Sequence, residues 1–197
     1  MPLDLGAANW HLAGLRPFPA AVTTTSGGRV NGCIALSPGS GSIVPEAPRV
    51  TVGLTTTNLT HDMVRESGVF AVHLLGADDD TIDASLAIIR GLAGSSGRDG
   101  DKLSGFATRE GATGSPILLD ALGYVEGQVV DALVTEENTI FLADVVAAER
   151  LRGGRRLAIG EAWAKLPPEW VEAYVRAHLE HEDAARRARG LPLPERA

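Results

Sequence analysis

Short apolar runs separated by turns rich in Gly, Ser and Thr fill the first half of the chain. Residues 18–25 (FPAAVTTT) and 30–36 (VNGCIAL) predict two strands joined by a Ser26-Gly27-Gly28 turn. In residues 49–55, Val50, Val52 and Leu54 alternate with Thr51, Gly53 and Thr55, the period of a half-buried strand. Between them, residues 38–48 are dense in Pro, Gly and Ser and predict a loop. Thr60, with Asp62 in the first turn, suits a short helix ending at Gly68, and residues 69–75 (VFAVHLL) predict another strand. Ile82, Leu86 and Ile89 give residues 79–92 the apolar stripe of an amphipathic helix, followed by a flexible loop over 94–100.

Strands are predicted next at 117–119 and 124–135. A Glu136-Glu137-Asn138 hairpin leads from the second of these into a strand over 139–148, and a last strand is expected at 157–163. Pro167-Pro168 then open a long helix to about residue 189, since proline is tolerated in a first turn. Residues 1–17 read as an irregular lead-in, with Trp10 and His11 packing onto the rest. Many short strands and few helices argue for a mostly β barrel rather than a doubly wound sheet. No linker divides the 197 residues, so one domain is expected over 1–197, with the barrel in 15–165 and the C-terminal helix in 167–189.

Composition removes several classes of function. A formal net charge of −7 leaves no electrostatic footprint for nucleic acid or an anionic membrane surface. The start, MPLDLGAANW, lacks a basic region followed by an apolar run, and no apolar run reaches the ~18–20 residues that span a bilayer. Cys33 is the sole cysteine, which rules out internal disulfides and cysteine-based metal clusters and suits a reducing, cytoplasmic setting. Nucleophile elbows, phosphate-binding loops ending in Gly-Lys, dinucleotide fingerprints and HExxH are all absent. His178, His181 and Glu182 are read as solvated residues of a surface helix, with no metal assigned.

The densest polar cluster is Thr55, Thr56, Thr57, Asn58 and Thr60, set just before a predicted helix start. Free backbone N–H groups and hydroxyl donors there favour a small anion such as phosphate without a lysine. A Thr-rich strand end with an ordinary cap has the same composition, so the cluster alone leaves both readings open.

Motif order adds a resemblance. Asn31-Gly32-Cys33-Ile34-Ala35-Leu36-Ser37, then Ser42 and Pro48, is similar to the second strand and following loop of the flavin reductase family, FMN-binding split barrels. Asn58, Thr60 and Val64 match its polar turn before T-x-x-x-I, and residues 70–75 (FAVHLL) resemble its FAVNVL strand. Residues 96–102 (SGRDGDK), 114–118 (GSPIL) and 141–145 (FLADV) resemble further family motifs, so the likeness covers roughly residues 15–150.

This resemblance implies an FMN-dependent oxidoreductase (FAD being the other candidate flavin) that accepts hydride from NADH or NADPH. It implies a homodimer, and a downstream acceptor that is oxygen, a partner monooxygenase or a bound substrate. The ring is expected against Ala35, Leu36 and Ser37, and the phosphate near Thr55, Asn58, Thr60, His61, Ser96 and Arg98. Arg98 offers a forked donor or is a solvated loop residue. No catalytic residue is assigned, because hydride transfer depends on orientation rather than on a proton-transferring side chain.

Two departures stand out. Ile34 and Leu36 replace the family's usual Thr and Ser. Glu136-Glu137-Asn138 replaces its Gly-Asp-His hairpin, so Asn138 takes the nicotinamide-side position with no capacity for charge. A second reading follows, in which the barrel holds flavin but uses another reductant or substrate. A third is a flavin-binding protein without turnover. Cys33 and His73 are read as packed residues, Lys102 as a partner of Asp99 or Asp101, and Trp163 and Trp170 as anchors of the last helix. The run from Arg152 to Arg156 is either a phosphate grip or a solvated turn.

Overall fold

The structure is a computed structural model that describes residues 3–36 and 38–195. In chain order the elements are α1 (Leu5–Gly14), β1 (Ala20–Ser26), β2 (Arg29–Ala35), β3 (Gly39–Ser40), β4 (Arg49–Thr55), α2 (Leu59–Ser67), β5 (Val69–Leu74) and α3 (Ile82–Ala93). They continue with β6 (Thr108–Glu110), β7 (Pro116–Leu118), β8 (Gly123–Val134), β9 (Asn138–Arg150), α4 (Ile159–Lys165) and α5 (Pro168–Ala188).

Seven strands form an antiparallel sheet in the order β2-β1-β5-β8-β9-β4-β3, and β6 pairs with β7 in a separate ribbon. The sheet is not closed by hydrogen bonds, yet it curls. Cys33 and Ala35 at one end of the strand order share a single apolar core with Val50, Val52 and Leu54 near the other end, and with Phe70, Val72, Phe141 and Ala143 between. Register shifts between Glu126 and Gly127 and between Val129 and Asp131 bend the long β8–β9 pair, as bulges do. This is the expected split barrel: a rolled sheet with a seam between β2 and β4.

The alternation of β4 is realised residue by residue, with Val50, Val52 and Leu54 buried and Thr51, Gly53 and Thr55 half-buried. The outer face of β1 and β2 is covered by α3, α4 and the start of α5, through Ala21, Ile34, Ile88, Ile89, Leu92, Ala162, Trp163 and Trp170. Trp170 stacks on Tyr174 at 5.4 Å and lies 6.2 Å from Trp163, so both tryptophans anchor the last helices. Gly68 ends α2 in the left-handed region (φ 71°), where a side chain would be strained.

Four expectations fail. The lead-in is a helix, capped by the Asp4 carboxylate, which accepts from Ala7 N–H at 3.0 Å. Trp10 is 74% exposed and packs edge-on against His11 rather than on the barrel. The expected last strand over 157–163 is α4, apart from an isolated bridge between Arg156 and Gly76. Its Ala- and Glu-containing sequence, IGEAWAK, favours a helix, and apolar burial of Ala162 and Trp163 serves either geometry. Within the 38–48 loop, Gly39 and Ser40 pair with Thr51 and Val50 to form β3.

Candidate functional site

The Thr-rich stretch turns a corner at one end of the seam. Thr55 pairs with Asn138 as the last rung of β4 and β9, and Thr56 donates to the Glu137 carbonyl through its N–H at 2.9 Å and its hydroxyl at 3.2 Å. Asn58 follows in an extended conformation as the N-cap of α2, but its side chain makes no capping hydrogen bond. The first N–H groups of a helix have no intrahelical acceptor, so this N-terminus is open to an anion.

Behind the corner lies an ordered polar chain. Asn31 Nδ2 donates to Thr60 Oγ1 at 3.0 Å, and both side chains are buried. His61 is 2% exposed and is held from both sides, by Asp62 Oδ1 at 3.0 Å on Nδ1 and by Thr139 Oγ1 at 2.9 Å on Nε2. Its ring tilts against Phe141. Asp62 also takes a 2.7 Å hydrogen bond from Arg98 Nη2. Burial alone would raise the Asp62 pKa, but the hydrogen bonds and charges of Arg98 and His61 outweigh it and lower the value.

The 94–100 loop is fixed by close contact. Gly97 sits so near Asn31 that an added Cβ would lie 2.2 Å from the Asn31 carboxamide oxygen. Ser96 Oγ accepts the Arg98 N–H at 3.2 Å. Thr55, Asn58, Thr60, His61, Ser96, Arg98 and Asn138 are thus gathered at one end of the seam. Ala35 and Leu36 stand four and five residues along β2 from Asn31, roughly 13–16 Å away at strand rise. Ala35 is buried in the core and Leu36 is half-buried; Ser37 lies outside the described residues.

Asn31, Gly97 and Asp62 organise the corner without having been singled out as site residues. The signal for Asn31 was its Asn-Gly pair in the middle of a strand; its contact with Thr60, 29 residues away, leaves no trace in local sequence. The C-terminal helix also reaches this end. Thr57 Oγ1 lies 2.7 Å from His181 Nδ1, Arg189 is 3.7 Å from Glu137, and His178 stacks on Tyr174. His178 and His181 are exposed on the helix surface, as expected, and also make these contacts. No group of His, Cys, Asp and Glu able to hold a metal occurs among the described residues.

Residues 15–159 match the model of the flavin reductase like domain. The chain belongs to the flavin reductase-like family. A ferric-chelate reductase (NAD(P)H) of Archaeoglobus fulgidus is 27% identical over 141 residues, covering 71% of this chain and 79% of that protein. The first two curated relatives that the chain matches are longer, and its aligned part spans only 56% and 52% of them. Among solved structures, an NADH:FAD oxidoreductase of Streptomyces globisporus superposes with a TM-score of 0.62 at 23% identity, covering 80% of this chain and 95% of that one. An FMN-binding protein of Thermus thermophilus with bound p-hydroxybenzaldehyde gives 0.59 at 23% identity, covering 68% and 71%.

The residues present fit a flavin. At the corner the uncapped start of α2, the Thr55 hydroxyl and the Asn58 side-chain amide offer donors to a phosphate, the Thr56 and Thr57 hydroxyls being engaged by Glu137 and His181. Along the seam, β2 is an edge strand, so alternate backbone groups are not committed to β1 and can meet the polar rim of a flat ring. The Thr60 side chain is buried behind the corner, where it accepts from Asn31, so Thr60 meets an anion chiefly through its backbone N–H. Two buried groups near the corner are not poised for chemistry. Burial raises the Cys33 pKa, keeping it a thiol, and burial lowers that of Lys102, whose ammonium donates to the Leu92 carbonyl instead of pairing with Asp99 or Asp101.

Proposed function

We propose that this domain binds FMN along the β2–β4 seam, with the phosphate at the start of α2, and accepts hydride from NADH or NADPH. The observation that carries this reading is the uncapped N-terminus of α2 beside an unpaired strand edge, in a chain of this family. Bound there, the flavin would supply two-electron redox chemistry. The chain's own part is to hold and orient. Asn58 and the first turn of α2 donate hydrogen bonds to the phosphate, Arg98 offers its remaining N–H donors from the 94–100 loop while paired to Asp62, and the β2 edge donates hydrogen bonds to the ring.

FMN is preferred to FAD because the corner suits a terminal phosphate. The acceptor is oxygen, a partner monooxygenase or a bound substrate. A cytoplasmic homodimer is part of the proposal, and the exposed apolar pair Leu133 and Ile140, matched across β8 and β9, suits burial against a second copy. Asn138 at the base of the hairpin favours a second reading, in which flavin is held but another reductant is used.

Flavin absorbance after addition of FMN, followed by NADH under anaerobic conditions, tests both. The first reading expects bleaching faster than that of free FMN with NADH. Bound flavin that stays oxidised with NADH and NADPH selects the second, and no spectral change with FMN rejects both.

A further inference from the structure

The barrel end away from α2 holds a cavity of about 490 Å³, bordered by Pro38 and Gly39 just past the Ala35–Ser37 stretch that the flavin reading gives to the ring. Val50, Val72, Leu74, Leu122 and Val125 give it an apolar lining. Its size falls within the range of sites for small organic molecules.

Charge at the mouth is lopsided. Arg150, Arg152 and Arg156 line it, against one carboxylate, Glu149. Glu149 is already engaged by the Arg109 guanidinium and by Tyr124 Oη at 3.2 Å. Arg152 is committed as well, donating to the Leu119 carbonyl at 2.8 Å with Asp120 3.7 Å away. Nearby Arg155 is bound to Glu161 and Asp78. Arg150 and Arg156, both exposed, have no side-chain partner among the described residues. In a chain with a net charge of −7, two uncompensated arginines beside an apolar cavity make a local anion site against the general field.

We infer that this cavity binds a small organic anion with an apolar body, an aromatic or short aliphatic carboxylate or sulfonate, whose charged group is held by Arg150 and Arg156. The apolar body supplies most of the affinity, because exposed ion pairs contribute little each. The arginines supply the preference for an anion over its neutral analogue. The site is separate from the α2 corner but borders the stretch that the flavin reading gives to the ring, so the test includes competition with FMN.

Calorimetric titration of the full chain with naphthalene-2-sulfonate, and with 2-naphthalenemethanol as its neutral counterpart, tests the inference. Saturable one-site binding of the sulfonate is expected, weakened about tenfold in the Arg150→Ala/Arg156→Ala double variant, with binding of the alcohol unchanged. Both arginines are exposed, so the variant should fold; a Tm within about 2 °C of the parent checks this. Arg16→Ala/Arg29→Ala, two exposed arginines elsewhere, should leave both affinities alone. The inference is overturned by absent or unsaturable binding, by equal sulfonate affinity in parent and double variant, or by equal weakening in the control pair. One-for-one displacement of the sulfonate by saturating FMN would assign the cavity to the flavin and overturn a separate site.

Discussion

Two polar knots in this molecule use the same residue types to opposite ends. Under the 111–115 turn, the fully buried Glu126 carboxylate accepts from Ala112 N–H at 2.9 Å and from the Thr113 N–H and hydroxyl, each at 2.7 Å. Beside it, His73 donates from Nδ1 to the Ala21 carbonyl at 3.2 Å and accepts the Leu118 N–H on Nε2 at 3.1 Å, while Thr23 donates to the Pro116 carbonyl at 2.6 Å. These groups are closed on themselves. At the α2 corner, His61, Asp62 and Thr60 are satisfied by their neighbours, but the Asn58 side chain leaves the helix start uncapped. A satisfied buried knot pins strands to a turn and has no capacity left for a ligand. A half-satisfied knot at a surface is where a ligand can complete the hydrogen bonding.

The strongest way to break this contrast is Glu126→Ala. It strands the Ala112 and Thr113 N–H groups, the Thr113 hydroxyl keeping Ser115 Oγ at 3.0 Å, and should destabilise the fold by about 3 kcal/mol, read from urea unfolding, with FMN affinity of the folded fraction unchanged. A loss below about 1 kcal/mol would show that water replaces the carboxylate and that the knot is not closed.

Titration of His73 comes next. Burial holds its pKa down at about 4, against 6.5 for the free side chain. The unfolded chain therefore binds the extra proton in that interval, and stability is complete above pH 6.5 and falls as pH drops toward 4. The shift corresponds to at most about 3 kcal/mol. Midpoints of urea unfolding from pH 7.5 to 4.5 measure it, and His73→Gln should flatten this part of the profile.

Gly97→Ala tests the corner. The new Cβ would collide with Asn31, so the 94–100 loop must lift, and FMN affinity should fall about tenfold, roughly 1.4 kcal/mol, with a smaller change in Tm. Smallest is Thr60→Ala, which removes the acceptor of the Asn31 hydrogen bond and should cost about 1 kcal/mol in FMN affinity, read by fluorescence quenching. Unchanged affinity in both variants would move the phosphate away from this corner.

Local chemistry made much of this legible beforehand. The Val50, Val52, Leu54 alternation, the Ser26-Gly27-Gly28 turn, Gly68 as the end of α2 and Pro168 as the opening of α5 each act within a few residues, and each appears where it was expected. Failures came where an apolar pattern alone does not select the outcome. Residues 157–163 are apolar enough for a strand and became α4, and Trp10 reads as a core residue but stands exposed on α1. The gathering of Thr55, Asn58, Arg98 and Asn138 was foreseen through motif order alone; nothing in their spacing dictates it.

The sequence by itself determined most of the strands of the main sheet, the turns, the helix-start corner and the family, because hydrophobic period, turn chemistry and motif order are written in neighbouring residues. Only the tertiary structure decided which polar groups are spent and which remain free. Asn31 is spent on Thr60, Glu126 on the 111–115 turn and Glu149 on Arg109, while Arg150, Arg156 and the start of α2 remain open. Those pairings join residues tens of positions apart, and they arise only when the rolled sheet removes water from between them.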